Sequence, residues 1–475
     1  MNDENIAPAK AFLQDTYRAE RLSAQELVTE DLRHIWHPAT QMKECELYPP
    51  LPIVRARGAW LYTADGRRIL DIISSWWCNL LGHCHPKISA ALSAQAHKLE
   101  HVIFAGFTHP LAVELANRLC ALLPEGLRYF NFADNGSSAV EIALKMAFQY
   151  QMQRGQSGRV RFACLTEGYH GETIGALAVG SMDLYSRLYR PLMTEQLHVT
   201  APDCLRCPCG QKRGQCECQC LRFAKEALAE HGRELAAFIV EPLLQGAAGM
   251  RIYPERYLQG LAALCREHDV LLIADEIATG FGRTGAMFAC EKAGITPDLM
   301  TLSKGMTGGY LPMSVVCTTQ EIYEAFYADY GSGKAFMHSH TYAGNPLGCA
   351  CALAVLDVLE QEQILERSQK MALYLTELMR HTFNEVPYVA ETRQIGLICA
   401  VELCEDTQSL KAFKPELRLG RLIYQEALER GLLLRNIGDV IYFNPPLNIQ
   451  KDELDFAAAT AKAACEAVFG RLGLI

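Results

Sequence analysis

A lysine, a carboxylate, an aromatic ring and a serine-containing turn each follow an apolar stretch of this sequence. Asp275 closes VLLIAD, Lys304 follows DLMTLS, Tyr169 follows RVRFACLTEG, and Gly136 and Ser137 follow YFNFADN. A lysine in an apolar neighbourhood can have a lowered amine pKa and form a Schiff base with an aldehyde. A carboxylate can keep the ring nitrogen of a pyridine cofactor protonated, as pyridoxal phosphate chemistry requires. The combination therefore indicates a site for pyridoxal phosphate.

Such a site also needs a phosphate-binding turn and a group on the ring face. Backbone N–H groups and hydroxyls clustered at a helix N-terminus bind phosphate, and Gly136, Ser137 and Ser138 supply them. Tyr169 is suited to stack on the ring. Each residue alone has an ordinary interpretation, since Asp275 could cap a helix and the serines could form an N-cap. Their joint occurrence after four predicted strands favours the chemical role.

Four predicted β-strands must position these side chains. Residues 129–134, 159–165, 270–276 and 298–305 alternate with helical stretches, which is typical of a parallel α/β sheet. In open α/β sheets ligands bind at the carboxyl ends of the strands. We therefore expect the four polar endings to lie in one crevice.

The helix predicted after the serine turn, AVEIALKMAFQY, has one apolar face. Val140, Leu144, Ala147 and Phe148 lie at positions i, i+4, i+7 and i+8. That spacing predicts that all four side chains are buried.

The glycines of TGFGRTG suggest a different cofactor, a nicotinamide dinucleotide. Gly280, Gly282 and Gly285 form a G-x-G-x-x-G pattern after a strand. A dinucleotide-binding turn needs its glycines directly at the strand end and an acidic residue that closes the next strand. Here Asp275 already occupies the strand end, and Asp298 opens the next strand instead of closing it. The pattern therefore disfavours nicotinamide binding.

Length and composition restrict the class of protein. A chain of 475 residues is expected to form two or three packed lobes. Its net charge of −9 offers no attraction to nucleic acid or anionic lipid, and no apolar run reaches the ~18 residues of a membrane span. The start, MNDENIAPAK, lacks the pattern of a secretory signal, and 19 cysteines then indicate free thiols in a reducing compartment. We expect a cytoplasmic protein that binds neither nucleic acid nor membranes.

Six cysteines lie close together in CLRCPCGQKRGQCECQC, residues 204–220. Cys204 and Cys207 have the C-x-x-C spacing of structural zinc sites, and Cys216 and Cys220 would complete four thiolates. A reduced cysteine-rich loop is the alternative, because the C-x-C steps are less typical of zinc. If the loop binds metal, the remote alternative is that the chain is a metal-binding protein without enzymatic activity.

Five stretches of the sequence together resemble the class III (omega) aminotransferases: IADEIATGFGRTG, TLSKGMTGGYLP, FADNGSSAVEIALKMA, GYHGETIGA and HTYAGNPLGCA. Matching stretches extend from about residue 34 to residue 446. The resemblance implies an α/β protein with the fold type I of pyridoxal-phosphate transferases. In that fold a large domain surrounds a mostly parallel seven-stranded sheet, and a smaller α+β domain comes from the N- and C-terminal segments.

The same resemblance implies how the chain is divided. Residues 1–74 are expected to form an N-terminal arm and part of the small domain. Residues 75–346 would form the large cofactor-binding domain, with 204–220 as a cysteine-rich insertion. Residues 347–475 would complete the small domain.

The resemblance also implies roles for residues at matching positions of the cofactor site. Lys304 matches the Schiff-base lysine, which would also move a proton between the donor carbon and the cofactor. Asp275 matches the carboxylate on the pyridine nitrogen, and Tyr169 matches the aromatic residue on the ring face. Gly136 and Ser137 match the phosphate-binding pair.

Further matching positions concern the substrate and a second subunit. His340 and Thr341 fall where a neighbouring subunit reaches into the phosphate site, so each active site would need the homodimer. Trp76, Ser339 and Arg435 match substrate-contacting positions. Arg435 suits a carboxylate, because a guanidinium grips one with two parallel hydrogen bonds.

Within the family, HIWHPATQMK, LDIISSWWCNLLGHCHP and HVIFAGFTHPLAVELANRL resemble the branch that serves biotin biosynthesis. That branch moves an amino group from S-adenosylmethionine to 8-amino-7-oxononanoate. Two positions depart from its pattern: Ala39 stands where users of S-adenosylmethionine often have Tyr, and Glu172, a substrate-binding position, stands where relatives have Asp. Because a missing phenol hydroxyl affects the donor site, lysine is the alternative donor. Another omega-aminotransferase activity is the alternative function.

Overall fold

The computed structural model describes residues 16–475, whose strands form four β-sheets. The strands are β1 (Ile53–Arg57), β2 (Trp60–Thr63), β3 (Arg68–Asp71), β4 (Leu127–Ala133), β5 (Arg161–Leu165), β6 (Leu197–Val199), β7 (Leu235–Val240), β8 (Leu244–Gln245), β9 (Arg251–Ile252), β10 (Leu271–Asp275), β11 (Leu299–Leu302), β12 (Ser314–Thr319), β13 (Val389–Ile395), β14 (Ile398–Leu403), β15 (Leu432–Leu433), β16 (Arg435–Ile437) and β17 (Val440–Phe443).

Helices separate most of these strands and cover the sheets. They are α1 (Ala24–His34), α2 (Pro86–Ala96), α3 (Pro110–Leu122), α4 (Gly136–Gln153), α5 (Ile174–Ala178), α6 (Asp183–Ser186), α7 (Leu221–His231), α8 (Glu255–Glu267), α9 (Ala289–Lys292), α10 (Gln320–Phe326), α11 (Pro346–Gln361), α12 (Ile364–Phe383), α13 (Leu419–Glu429) and α14 (Lys451–Arg471).

Seven strands form the central sheet, in the order β4-β12-β11-β10-β7-β5-β6. Strand β12 runs antiparallel to both of its neighbours, and the other pairs are parallel. The predicted fold class, a mostly parallel seven-stranded sheet, is therefore confirmed. The four predicted strands correspond to β4, β5, β10 and β11, and their carboxyl ends share one edge of the sheet.

The smaller domain joins the two ends of the chain. Strand β3 pairs in parallel with β15, with Leu70 opposite Leu432. Strands β13, β14, β17 and β16 form a separate antiparallel sheet. This confirms a smaller domain built from N- and C-terminal segments. The division into residues 1–74, 75–346 and 347–475 stays a prediction.

Helix α4 shows where the sequence pattern succeeds and where it fails. Val140, Leu144 and Ala147 are buried, as predicted. The prediction for Phe148 is wrong, because its side chain is 39% exposed. At 100° per residue, position i+8 lies about 80° from Val140, so Phe148 is at the edge of the buried face.

The N-terminal part of the described chain lies on the surface. Helix α1 begins with a capping box between Ser23 and Glu26 and buries none of its residues. The N-terminal arm expected within residues 1–74 stays a prediction, and its residues 1–15 lie outside the described residues. Among residues 16–475, no helix is long and apolar enough to cross a membrane.

Candidate active site

An open cleft with about 650 Å³ of empty space lies at the carboxyl ends of the central strands. Five of the residues predicted to hold the cofactor line it: Gly136, Ser137, Tyr169, Asp275 and Lys304. The expectation that the polar strand endings converge on one crevice is therefore confirmed. Their individual roles stay predictions, and their geometry is described below.

Lys304 begins a short 3-10 turn shortly after β11, with its backbone in the left-handed region (φ 42°). Its Nζ lies 4.8 Å from the centre of the Trp77 ring. Burial lowers the pKa of the Lys304 amine below its ordinary value, while the carboxylates of Asp275 and Glu241 act in the opposite direction. A lower pKa leaves more of the amine neutral, which is the form that attacks an aldehyde.

Asp275 is the last residue of β10 and is 5% exposed. Its Oδ2 lies 2.7 Å from Nδ1 of His170. Its Oδ1 accepts hydrogen bonds from the N–H of Ile277 and the hydroxyl of Thr301, both at 3.2 Å. These bonds on both oxygens fix the carboxylate in the orientation that a partner for a protonated ring nitrogen needs.

Gly136 and Ser137 occupy the first two positions of α4, where backbone N–H groups have no partner within the helix. The Ser137 hydroxyl accepts a hydrogen bond from the N–H of Glu172 at 3.1 Å. Gly171 packs against this hydroxyl so closely that an added Cβ would lie 2.2 Å from it, and its φ is 125°. The turn thus offers free N–H donors at a helix N-terminus, which suits a phosphate group.

Tyr169 lies beside this turn. Its hydroxyl donates a hydrogen bond to Oε1 of Glu172 at 3.0 Å, and its ring packs edge-on against Tyr185 at 5.4 Å. Burial, and then the nearby Glu172 carboxylate, raises the pKa of Tyr169, so the phenol stays protonated. Glu172 itself is exposed at the mouth of the cleft.

Two of the predicted substrate residues, Trp76 and Arg435, form a neighbouring patch. The Arg435 guanidinium lies 5.0 Å from the centre of the Trp76 ring and 5.7 Å from that of Tyr424. Trp76 is 48% exposed. The charge of Arg435 also acts on Tyr185, which contacts Tyr169, so the patch adjoins the cofactor cleft.

The segment around residue 340 lies near the phosphate turn from the other side. Nδ1 of His340 lies 2.5 Å from Oδ1 of Asp134, which directly precedes Asn135 in the same chain. Ser339 and Thr341 are exposed and do not line the cleft of their own chain. Their predicted contacts with substrate and with a partner subunit stay predictions.

Several residues that line the cleft were not found by sequence reasoning, among them Trp77, His170 and Glu241. Glu241 accepts hydrogen bonds from the N–H groups of Tyr169 at 3.1 Å and Gly246 at 3.0 Å. Burial raises the pKa of Glu241 to about 7. Its signal was its place at the end of the apolar run AAFIV, the same pattern that singled out Asp275.

The cysteines of residues 204–220 surround one small surface cavity, lined by Cys204, Cys207, Cys216, Cys218 and Cys220. In the described part of the chain, however, no group of three or more His, Cys, Asp or Glu side chains is arranged to hold a metal ion. Burial raises the pKa of the Cys204 thiol to about 11 and that of Cys220 to about 12. Zinc binds thiolates and lowers the pKa of the thiols that it binds, so these metal-free values do not decide whether zinc is bound. The four-thiolate zinc site of Cys204, Cys207, Cys216 and Cys220 stays a prediction.

Comparison with known proteins places this cleft in a family. The family described as "Aminotransferase class-III" matches residues 42–464. The adenosylmethionine-8-amino-7-oxononanoate aminotransferase of Geobacter sulfurreducens is 44% identical over 441 residues, covering 93% of this chain and 97% of that protein.

Solved structures agree with this match. The crystal structure of the enzyme of the same name from Methanocaldococcus jannaschii is similar with a TM-score of 0.88 at 36% identity, covering 93% of this chain and 99% of that one. An omega transaminase from Pseudomonas jessenii, solved in complex with PMP, has a TM-score of 0.89 at 30% identity, covering 94% and 99%. The lysine, the buried carboxylate and the phosphate-binding turn of the cleft fit the cofactor of these enzymes. The chain belongs to the class III aminotransferases, which depend on pyridoxal phosphate.

Proposed function

We propose that this enzyme transfers an amino group to 8-amino-7-oxononanoate, giving 7,8-diaminononanoate in biotin biosynthesis. The observation that carries the proposal is a cleft that brings together Lys304, Asp275 and the Gly136–Ser137 turn, in a chain that is 44% identical to a relative named for this reaction. The TM-scores to the Methanocaldococcus jannaschii enzyme and to the Pseudomonas jessenii omega transaminase are nearly equal, so fold similarity does not separate the two activities. The higher sequence identity favours the first.

Pyridoxal phosphate would be held by the residues that line the cleft. Gly136 and Ser137 would bind its phosphate at the N-terminus of α4, and Asp275 would hold a proton on its ring nitrogen. Tyr169 would cover one face of the ring. When bound, the cofactor supplies an electron sink for the carbon that carries the amino group.

Lys304 is the group that moves protons in this proposal. After the donor amine displaces it, the neutral Nζ takes a proton from the donor carbon. In the second half-reaction at the same site, Nζ delivers a proton to C7 of the acceptor, so that the enzyme alternates between two forms in a ping-pong mechanism. Its lowered pKa suits both steps, because burial reduces the cost of releasing a proton from the amine.

The neighbouring patch would bind the substrates. Arg435 would hold the carboxylate of 8-amino-7-oxononanoate with two parallel hydrogen bonds, while the Trp76 ring contacts the apolar chain. Ser339 would add a hydroxyl contact. The carboxylate of Glu172 offers a negative charge to a cationic part of either substrate.

We propose S-adenosylmethionine as the amino donor, in line with the names of the relatives. Lysine is the second candidate, because Ala39 provides no hydroxyl where such enzymes often have a tyrosine. Both donors carry a positively charged group that can form an ion pair with the Glu172 carboxylate.

We also propose a cytoplasmic homodimer with shared active sites. His340 and Thr341 of one subunit would then complete the phosphate site of the other. Their position on an exposed segment beside the phosphate turn supports this arrangement.

A coupled assay tests the proposal. Purified enzyme receives 8-amino-7-oxononanoate together with S-adenosylmethionine or with lysine, and the expected result is 7,8-diaminononanoate with the first donor. Product with lysine alone would change the donor. If no product forms with either donor, the proposal is contradicted. Amination of pyruvate by a simple amine would then indicate another omega-aminotransferase.

A further inference from the structure

The segment between β3 and α2 has an uncommon backbone. Ser74, Ser75, Trp76 and Trp77 have φ values of 50°, 44°, 77° and 72°, so four consecutive non-glycine residues lie in the left-handed region. This region is disfavoured for residues with a Cβ, which visit it singly and not in runs. A run of this kind persists only where its surroundings hold it.

Asp71 holds one side of this turn. It ends β3, is fully buried, and accepts hydrogen bonds from the N–H of Ile73 at 3.2 Å and the hydroxyl of Ser75 at 2.6 Å. Its Oδ2 also lies 3.0 Å from Nε2 of His83. Burial alone raises the pKa of Asp71, but the bonds from His83 and Ser75 bring it below its usual value, so the carboxylate is charged.

Further bonds hold the other parts of the turn. The amide nitrogen of Asn79 lies 2.7 Å from Nδ1 of His83, which keeps the imidazole directed at Asp71. The Ser74 hydroxyl donates to the carbonyl of Asn444 at 2.8 Å, in the small domain. The turn is thus fixed on both sides. Asp71 is a charged partner that bonds directly to the turn.

The turn carries both tryptophans of the site. The Trp77 ring lies beside Nζ of Lys304, and its indole N–H donates to the hydroxyl of Tyr442 at 3.1 Å. The Trp76 ring lies against the guanidinium of Arg435. Since the two rings share one stretch of backbone, any change in the turn moves both of them.

We propose that Asp71 is a positioning residue for amino transfer: its carboxylate holds the left-handed turn and thereby fixes Trp77 beside Lys304 and Trp76 beside Arg435. Asp71 does not line the cofactor cleft and acts through the turn. The inference rests on the proposed function to the extent that Lys304 and Arg435 serve the cofactor and the substrate carboxylate.

The Asp71→Asn variant of the cofactor-loaded enzyme tests this proposal. Asparagine keeps the size of the side chain but removes the charge that holds Ser75 and His83. At equal cofactor occupancy, we expect KM for the keto-acid acceptor to rise roughly tenfold, because a small displacement of contacting groups has effects of this size or larger. We also expect the bound cofactor to quench less tryptophan emission, with Trp77→Phe defining the contribution of that ring.

A matched control is Asp298→Asn. Asp298 is a partly buried aspartate of the large domain that, like Asp71, accepts a backbone hydrogen bond, from Leu272 at 2.7 Å, and it lies outside the cleft. KM and quenching should stay within about twofold of the wild type in this control. If KM and quenching in Asp71→Asn also stay within about twofold of the wild type, the proposal is overturned.

A rescue variant separates backbone positioning from a charge effect. Glycine adopts the left-handed region without a steric penalty, so Ser75→Gly added to Asp71→Asn should restore most of the lost quenching and affinity. A double variant that behaves like Asp71→Asn would overturn the proposal. If Asp71→Asn does not fold, Ser75→Ala decides: a smaller change in the same direction supports the proposal, and no change overturns it.

Quenching requires no substrate, so it separates this inference from the proposed function. A wild-type enzyme that fails to aminate 8-amino-7-oxononanoate, but whose quenching depends on Asp71 and is rescued by Ser75→Gly, contradicts the proposed function alone. An active wild type with quenching and KM independent of Asp71 contradicts the positioning role alone.

Discussion

The two ends of the cleft are held in different ways. At the cofactor end, Gly136, Asp275 and Lys304 lie at or just after the carboxyl ends of strands of one sheet, and hydrogen bonds to both of its oxygens fix Asp275. At the substrate end, Trp76 is half exposed and meets Arg435, which comes from the small domain. Groups that must keep one geometry lie at the ends of rigid strands, while groups that determine specificity lie where two domains meet.

Lys304→Ala should have the largest effect, because it removes the group that binds the cofactor and moves the proton. We expect turnover to fall by at least about 10⁴-fold, together with loss of the absorbance band of lysine-bound cofactor. Lys292→Ala is the control, because that amine lies outside the cleft and donates to the carbonyl of Thr284 at 3.4 Å. Wild-type turnover in Lys304→Ala would contradict the proposal that Lys304 binds the cofactor and transfers the proton.

Asp275→Asn should lower kcat by about 10²- to 10³-fold, since a neutral amide stabilises a charged ring nitrogen poorly. KM for the acceptor should change little, because Asp275 lies at the other end of the cleft from Arg435. Steady-state kinetics measure both constants. A rise in KM with unchanged kcat would contradict the division between the two ends.

Glu241→Gln should change how the stability of the cofactor-free protein depends on pH. The folded carboxyl has its pKa raised to about 7, whereas the unfolded group releases its proton near the ordinary value of about 4.3. The folded state therefore binds the extra proton within this window, and wild-type stability falls as pH rises through it, by roughly 4 kcal/mol in total. Urea unfolding at several pH values should show a flatter profile for the variant, and equal slopes would contradict the raised pKa.

Arg435→Lys keeps the charge but loses the two parallel hydrogen bonds to a carboxylate. We expect KM for 8-amino-7-oxononanoate to rise about 10- to 100-fold, with kcat within about threefold of the wild type. Arg430→Lys is the control, since Arg430 lies on the surface of the small domain beside Glu426. A decrease in kcat with unchanged KM would contradict the role of Arg435 in binding the substrate carboxylate.

The double variant Cys204→Ser, Cys207→Ser should have the smallest effect, because the cysteine cavity is separate from the cleft. We expect turnover within about twofold of the wild type. Metal analysis of the purified wild type provides the second measurement, with no stoichiometric zinc expected. Bound zinc that the double variant lacks would contradict the arrangement of thiols described above.

Much of the cofactor end could be predicted from the sequence because each of its parts has a local signal. An apolar strand followed by a polar residue places Asp275 and Lys304 at the same edge of a sheet. The serine turn before α4 is equally local, since Asn135 accepts a hydrogen bond from the N–H of Ser138 at 3.0 Å.

The rest of the site depends on contacts that are distant in sequence. His170 meets Asp275 across 105 positions, and Trp77 meets Tyr442 across 365. A left-handed run of serines and tryptophans has no sequence signal, because those residues do not favour it. The zinc site stays a prediction, since cysteine spacing is a local signal whereas the geometry of four thiolates around a metal is not.

The pairing of β3 with β15 has a consequence for synthesis of the enzyme. All seven strands of the central sheet are available once translation has passed Thr319, but β3 and the turn after it wait for β15 and Asn444. Domains generally fold as units while the chain is being made, N-terminal parts first. The cofactor end should therefore assemble on the ribosome before the substrate end, and the two tryptophans should reach their final places only after the C-terminal segment has emerged.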